Sequence, residues 1–211
     1  MPEIAGVHVP DSKIAKEVEQ LILDTETPLL FNHSNRVYLW GALRGRAKGL
    51  SFDEELLYLG AMFHDLGLMD AYSSASERFE VDGANAARDF MRQHNFSDRD
   101  IELVWDGIAL HTTPGIPKHK HPVVALVTAG VEMDVLGLGF DEVDEEARRH
   151  VCEAHPRPAF KEGIIQAFAD GTKKKPDTTF GNVKADVLAE KLPGFQRTNF
   201  CDLIRGSAWP E

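Results

Sequence analysis

The chain has 211 residues, 43% of them hydrophobic, which is enough to bury one substantial core, and its length favours one domain over residues 1–211. With 34 acidic and 23 basic residues the formal net charge is −11, a field that repels phosphate backbones and anionic lipid headgroups, so neither nucleic acid nor membrane is an expected partner. No run of about 18 apolar residues occurs, Met1 to Asp11 has no signal-peptide pattern, and Cys152 and Cys201 have no C-x-x-C spacing, so a cytoplasmic protein with two reduced thiols is expected.

Apolar residues recurring with helical period predict helices over Asp11 to Asp24, Asn32 to Lys48, Phe52 to Leu66, Phe79 to Gln93, Ser97 to Leu110 and His121 to Leu136. Nothing alternates convincingly as a strand, so the fold class is all-α. Ser51 and Ser97, each followed by an acidic third position, read as helix caps. Gly49, Gly67 and the Pro114 to Pro117 run read as stops. Beyond Gly139 an acidic helical stretch from Asp141 to Cys152, the prolines 156 and 158, and a helix from about Ala159 to Ala169 read as helices packed on the core rather than as a second domain. Lys173-Lys174-Lys175-Pro176 reads as a solvated loop.

Four residues stand out because ionisable groups on apolar helices need compensation, and a divalent cation is one way to supply it. His33 shares a helical face with Val37 and Trp40, so its imidazole points inward; a core histidine bonded to a backbone carbonyl is the plainer alternative. His64 and Asp65 end the strongly apolar segment Leu56 to Phe63, just before Gly67. Asp134 shares a stripe with Val127, Gly130 and Val131, where Gly130 would let a neighbouring helix come close. Glu80 opens the helix at Phe79 and His111 closes the one ending at Leu110; either suits the local helix dipole, or a proton-transfer role in a pocket. Arg36, one turn after His33, suits a donor to a ligand carboxylate or substrate, or a structural salt bridge. His119 and His121 read as a basic loop tip.

Taken together, the order His33, then His64-Asp65, then Asp134 resembles the HD superfamily of metal-dependent hydrolases. Within it, His33 to Tyr38, Phe63 to Gly67 and Arg78 to Ala84 are similar to segments of the cyanamide hydratase group. The resemblance covers about residues 10 to 140. It implies an HD-type helical bundle with one divalent metal held between core helices by His33, His64, Asp65 and Asp134, and Glu80 and His111 as catalytic residues beside it. Mixed nitrogen and oxygen ligands suit zinc, iron, manganese, cobalt or nickel, and the hydratase resemblance implies zinc. Phe79 stands where dinuclear members resemble one another in having a histidine, which implies a mononuclear site. Leu68 stands where the HD nucleotidases have a glutamate. The implied activity is metal-assisted hydration of a small nitrile. The alternatives are hydrolysis of a small phosphomonoester or nucleotide, which needs a cationic clamp such as Arg36, Arg78 or Lys161, and a metal-binding regulatory module without turnover. The implied partner is a small-molecule substrate, with homo-oligomerisation left open.

Overall fold

The computed structural model describes residues 3–179 and 181–210. Among them, a hairpin of β1 (Glu3–Ile4) and β2 (Val7–His8) precedes ten α-helices. These are α1 (Lys13–Thr25), α2 (Pro28–Ala47), α3 (Glu54–Phe63), α4 (Phe79–Gln93), α5 (Asp98–Ala109), α6 (Pro122–Leu136), α7 (Glu145–Ala154), α8 (Phe160–Thr172), α9 (Val183–Lys191) and α10 (Phe200–Arg205). The all-α class expected from periodicity is what the chain adopts. The hairpin escaped that reading because strands of two residues are too short to alternate.

Helix α2 is the axis of the bundle. Thr27 caps it, accepting from the Leu30 amide, and Pro28 supplies a preset first-turn φ, so the helix begins four residues before Asn32. Residues 33 to 42 are buried on every face, the signature of a central helix rather than an amphipathic surface one. It packs against α6 at very short range: a Cβ on Gly130 would stand 2.1 Å from the Val37 carbonyl oxygen, so only glycine lets the two backbones meet. That contact sets His33 and Arg36 of α2 opposite Asp134 of α6.

Helix α3 is capped by Asp53, which accepts from the Leu56 amide; the cap expected at Ser51 moves two residues on because the carboxylate is the acceptor in reach. Leu56 to Phe63 are all buried. The helix stops at Phe63, three residues before the expected end, and a 3-10 turn at Leu66–Leu68 follows. A Cβ on Gly67 would lie 2.0 Å from the Phe79 carbonyl oxygen, so α4 starts directly against this turn. The bare glycine thereby carries Glu80 to the His64-Asp65 corner.

Two apolar clusters flank the axis. The larger joins α1 to α6 around residues such as Trp40, Leu57, Met62 and Val127. The smaller gathers Leu30, Leu68, Phe79, Val135, Phe160, Ile164 and Ile204, bringing α8 and α10 over the other side of α2 and α6. The loop expected to be solvated at Lys173 to Pro176 differs in one residue. Lys175 is buried and donates to Asp82 Oδ2 at 2.6 Å, while Lys173 and Lys174 remain exposed. Asp82 is itself buried on α4, and a buried carboxylate draws in the nearest chain that can offer a cation.

Candidate metal centre

Three side chains converge where α2 passes the end of α3. His33 Nε2 and His64 Nε2 are 3.2 Å apart, His64 Nε2 and Asp65 Oδ2 are 3.2 Å apart, and His33 Nε2 and Asp65 Oδ2 are 3.6 Å apart. All three residues are at most 1% exposed. Tetrahedral ligation with bonds of about 2.0–2.1 Å separates neighbouring ligand atoms by about 3.3–3.4 Å, so this triangle has the dimensions of one face of a divalent-metal site. His33, His64 and Asp65 form a group whose candidate ligand atoms all lie within 4.8 Å of one another.

The protonation pattern fits as well. His64 Nδ1 donates to the Ala61 carbonyl at 2.7 Å, His111 Nδ1 donates to the Ile108 carbonyl at 2.6 Å, and His33 Nδ1 donates to Asp134 Oδ2 at 2.7 Å. Each neutral imidazole therefore keeps its lone pair on Nε2. With both rings neutral, His33 and His64 face each other lone pair to lone pair, a contact that a proton or a metal cation between them would relieve. Both oxygens of buried Asp65 and Nε2 of buried His111 lack a hydrogen-bond partner among the described residues, although His111 Nε2 comes within 3.6 Å of Asp65 Oδ1. Buried orphans of this kind point to a ligand.

Electrostatics lead the same way. Burial would raise the Asp65 carboxyl, yet the imidazoles of His64, His111 and His33 hold it well below the usual carboxylate range. Burial disfavours charge on His64, but Asp65 outweighs it and raises the imidazole above its ordinary value. For His33 burial wins, and its value falls despite Asp134. The pocket is a place that draws positive charge.

Asp134 is turned away from this triangle, behind His33. Its Oδ1 accepts from Arg36 Nε (2.9 Å), Trp40 Nε1 (2.8 Å) and Arg157 Nη1 (2.6 Å); its Oδ2 accepts from Arg36 Nη2 (2.9 Å) and His33 Nδ1. The two guanidiniums hold the carboxyl well below the ordinary range although burial opposes them. Arg36 also donates to the carbonyls of His155 and Pro156, and Phe160 lies under both Arg36 and Arg157. Of the roles open to Arg36, the structure shows pairing with a carboxylate. Arg157 and Trp40 were not legible as partners: Arg157 lies in an aperiodic stretch between two prolines, and Trp40 reads only as an apolar neighbour of His33.

Glu80 and His111 both line the wall of a cavity of about 580 Å³ that His33 and Asp65 also line. Glu80 Oε1 accepts from Arg78 Nη2 at 2.7 Å and from the hydroxyl of Thr112, the residue after His111. Burial would raise its pKa, but these hydrogen bonds lower it, so Glu80 is a carboxylate. Phe79 fills the space beside His111, with ring centroids 5.6 Å apart. Of the other histidines, His121 caps α6 by accepting from the Val123 amide. Cys152 and Cys201 are free thiols, and no described helix is long and apolar enough to cross a membrane.

A protein-family model described as HD domain matches residues 30–172, from the start of α2 to the end of α8. No curated protein matches the chain.

Proposed function

The chain belongs to the HD domain family, and from that premise we propose that it is a metal-dependent enzyme adding water to a small uncharged molecule, a nitrile in the first place. The observation that carries this reading is the triangle of His33 Nε2, His64 Nε2 and Asp65 Oδ2 together with the unpartnered atoms of Asp65 and His111. We propose that His33, His64 and Asp65 hold one divalent metal, zinc by resemblance to the cyanamide hydratase group. Asp134 acts through His33, fixing its tautomer and ring orientation, as outer carboxylates do for metal-bound histidines. The metal, when bound, supplies an acidified water and polarises the electrophile.

The chain's own residues account for the protons. Adding water to a nitrile forms a carbon–oxygen double bond, breaks the two carbon–nitrogen π bonds and both O–H bonds of water, and leaves both hydrogens on nitrogen, giving the amide. His111 Nε2, with its lone pair free in the pocket and its Nδ1–H anchored to Ile108, is built to take a proton from water and return it to nitrogen. Glu80, held anionic by Arg78 and Thr112, favours the transient imidazolium nearby. The phosphoester alternative has less support. Arg36 lies behind His33 on Asp134, Arg78 is paired with Glu80, and Lys161 donates to the carbonyls of Arg205 and Ser207. Elemental analysis followed by turnover assays with cyanamide, other nitriles and phosphate esters tests the proposal. Amide release dependent on added zinc supports it. Hydrolysis of phosphate esters alone overturns the nitrile reading, and metal binding without any turnover favours the regulatory module.

A further inference from the structure

We infer that the substrate carries an apolar aryl or alkyl body several carbons long next to its reacting group, and that α8 and α10 select it. This rests on the hydrolytic reading of the metal centre, whose floor is the inner end of the same cavity. A volume of about 580 Å³ falls within the range of about 300–1,000 Å³ that accommodates ligands of drug size. A molecule as small as cyanamide would leave most of that space to water.

The walls are built for carbon. Starting at His111, a file of rings runs outward: His111 to Phe79 at 5.6 Å, Phe79 to Phe168 at 5.3 Å, and Phe168 to Phe200 at 5.9 Å between centroids, all edge to face. Val135 and Leu136 of α6 also line the cavity, and Leu203 completes the α10 side. Phe200 and Leu203 are 44% and 46% exposed, so two large apolar side chains on one helical turn stand in water at the mouth of a cavity they help form. An apolar ligand would cover them.

Charge excludes the opposite class. Asp65, Glu80 and Glu132 line the cavity, and among the described residues Arg78 is the only lysine or arginine that does so, with its guanidinium engaged by Glu80. With Asp65 assigned to the metal, a phosphorylated body would bring a dianion beside the carboxyl groups of Glu80 and Glu132 with no uncommitted guanidinium or ammonium among the lining residues to receive it. Phe168, Phe200 and Leu203 come from the last third of the chain, so the specificity of the site resides in helices that hold no proposed metal ligand.

The test is calorimetric binding of the unreactive amides from acetamide to hexanamide, with n-hexyl phosphate, to the full chain with and without zinc. Nitriles of the same lengths are assayed for hydration in parallel. Association should rise about three- to fourfold per methylene, the increment for burying one CH₂, and without zinc n-hexyl phosphate should bind at least about tenfold more weakly than hexanamide. Phe168→Ser and Leu203→Ser should each flatten the rise at the longer members; Leu203 is half exposed, so its variant folds even if that of Phe168 does not. Affinity independent of chain length, or tighter binding of the alkyl phosphate than of hexanamide in the absence of zinc, would overturn the inference. Rising amide affinity without nitrile hydration would keep the apolar pocket and discard the nitrile reaction. Nitrile hydration at a rate indifferent to length would do the reverse.

Discussion

Replacing Asp134 by alanine or asparagine probes the most heavily partnered carboxylate among the described residues. Its side chain is fully buried and receives five N–H donors, four of them from His33, Arg36 and Arg157 and one from Trp40. Truncation to alanine leaves two guanidiniums buried without their anion. Removing one partner of a buried pair costs about 3–5 kcal/mol, and since both cations share the same acceptor the two losses do not add. Asp134→Ala should therefore lose at least about 3 kcal/mol of unfolding free energy, a large part of the roughly 5–15 kcal/mol a domain possesses. Asparagine keeps the shape and one acceptor oxygen, so Asp134→Asn should fold. Because Asp134 stands behind His33 rather than at the triangle, that variant should bind zinc about 10- to 100-fold more weakly, the usual effect of losing an outer carboxylate. Asp65→Asn, which replaces a proposed ligand carboxylate, should not retain stoichiometric zinc at all. Urea denaturation measures the first effect and competition against a chelator the second. If Asp134→Asn lost zinc as completely as Asp65→Asn, the carboxylate would be a direct ligand, as the resemblance implies, and the arrangement around Arg36 and Arg157 would have to open when metal binds.

Two further outcomes follow from the buried acids and the pocket histidine. Glu80→Gln and His111→Ala should lower kcat by roughly two to four orders of magnitude with zinc content near normal; unchanged kcat with a lowered melting temperature in both would make them scaffold. Glu26 is buried beside Ser34, with one oxygen unpartnered, and its carboxyl is raised well above the ordinary value by burial and by the Asp65 charge. A raised carboxyl means that the folded state holds a proton which the unfolded chain has lost. The stabilising contribution is thus complete below the unfolded value and declines as pH rises through the folded one, by about 1.4 kcal/mol per pH unit within that window. Glu26→Gln should accordingly gain stability relative to the parent at about pH 8 and not at about pH 4. Equal differences at the two pH values in urea denaturation would refute this.

What the sequence revealed was governed by register. His33, His64 and Asp65 could be placed because the first lies at a defined position on an apolar helix and the other two directly follow the end of one. The inward face of Asp134 was legible for the same reason, and so was Gly130 as a point of close approach. Its partners were not. Arg157 comes from an irregular segment between prolines, where no period constrains direction, and only the tertiary path of the chain after α7 brings it under Asp134. Lys175 looked like one of three solvated lysines because a charge run carries no sign of which member meets a buried Asp82. Helix ends shifted where local acceptors competed, at Thr27 and Asp53. The cavity walls were invisible for a different reason: Phe79, Phe168 and Phe200 lie far apart in the chain, and nothing in a single sequence aligns their rings.

Two imidazoles and a carboxylate, from His33, His64 and Asp65, are proposed to hold one divalent ion. X-ray absorption at the zinc edge, on protein whose metal content is fixed by elemental analysis, reads that coordination. The expected result is about one zinc per chain with nitrogen and oxygen donors at about 2.0–2.1 Å, imidazole scattering from two histidines, and loss of the signal in His64→Ala. Two zinc ions per chain with a metal–metal vector, or an unchanged spectrum in the His64 variant, would contradict it.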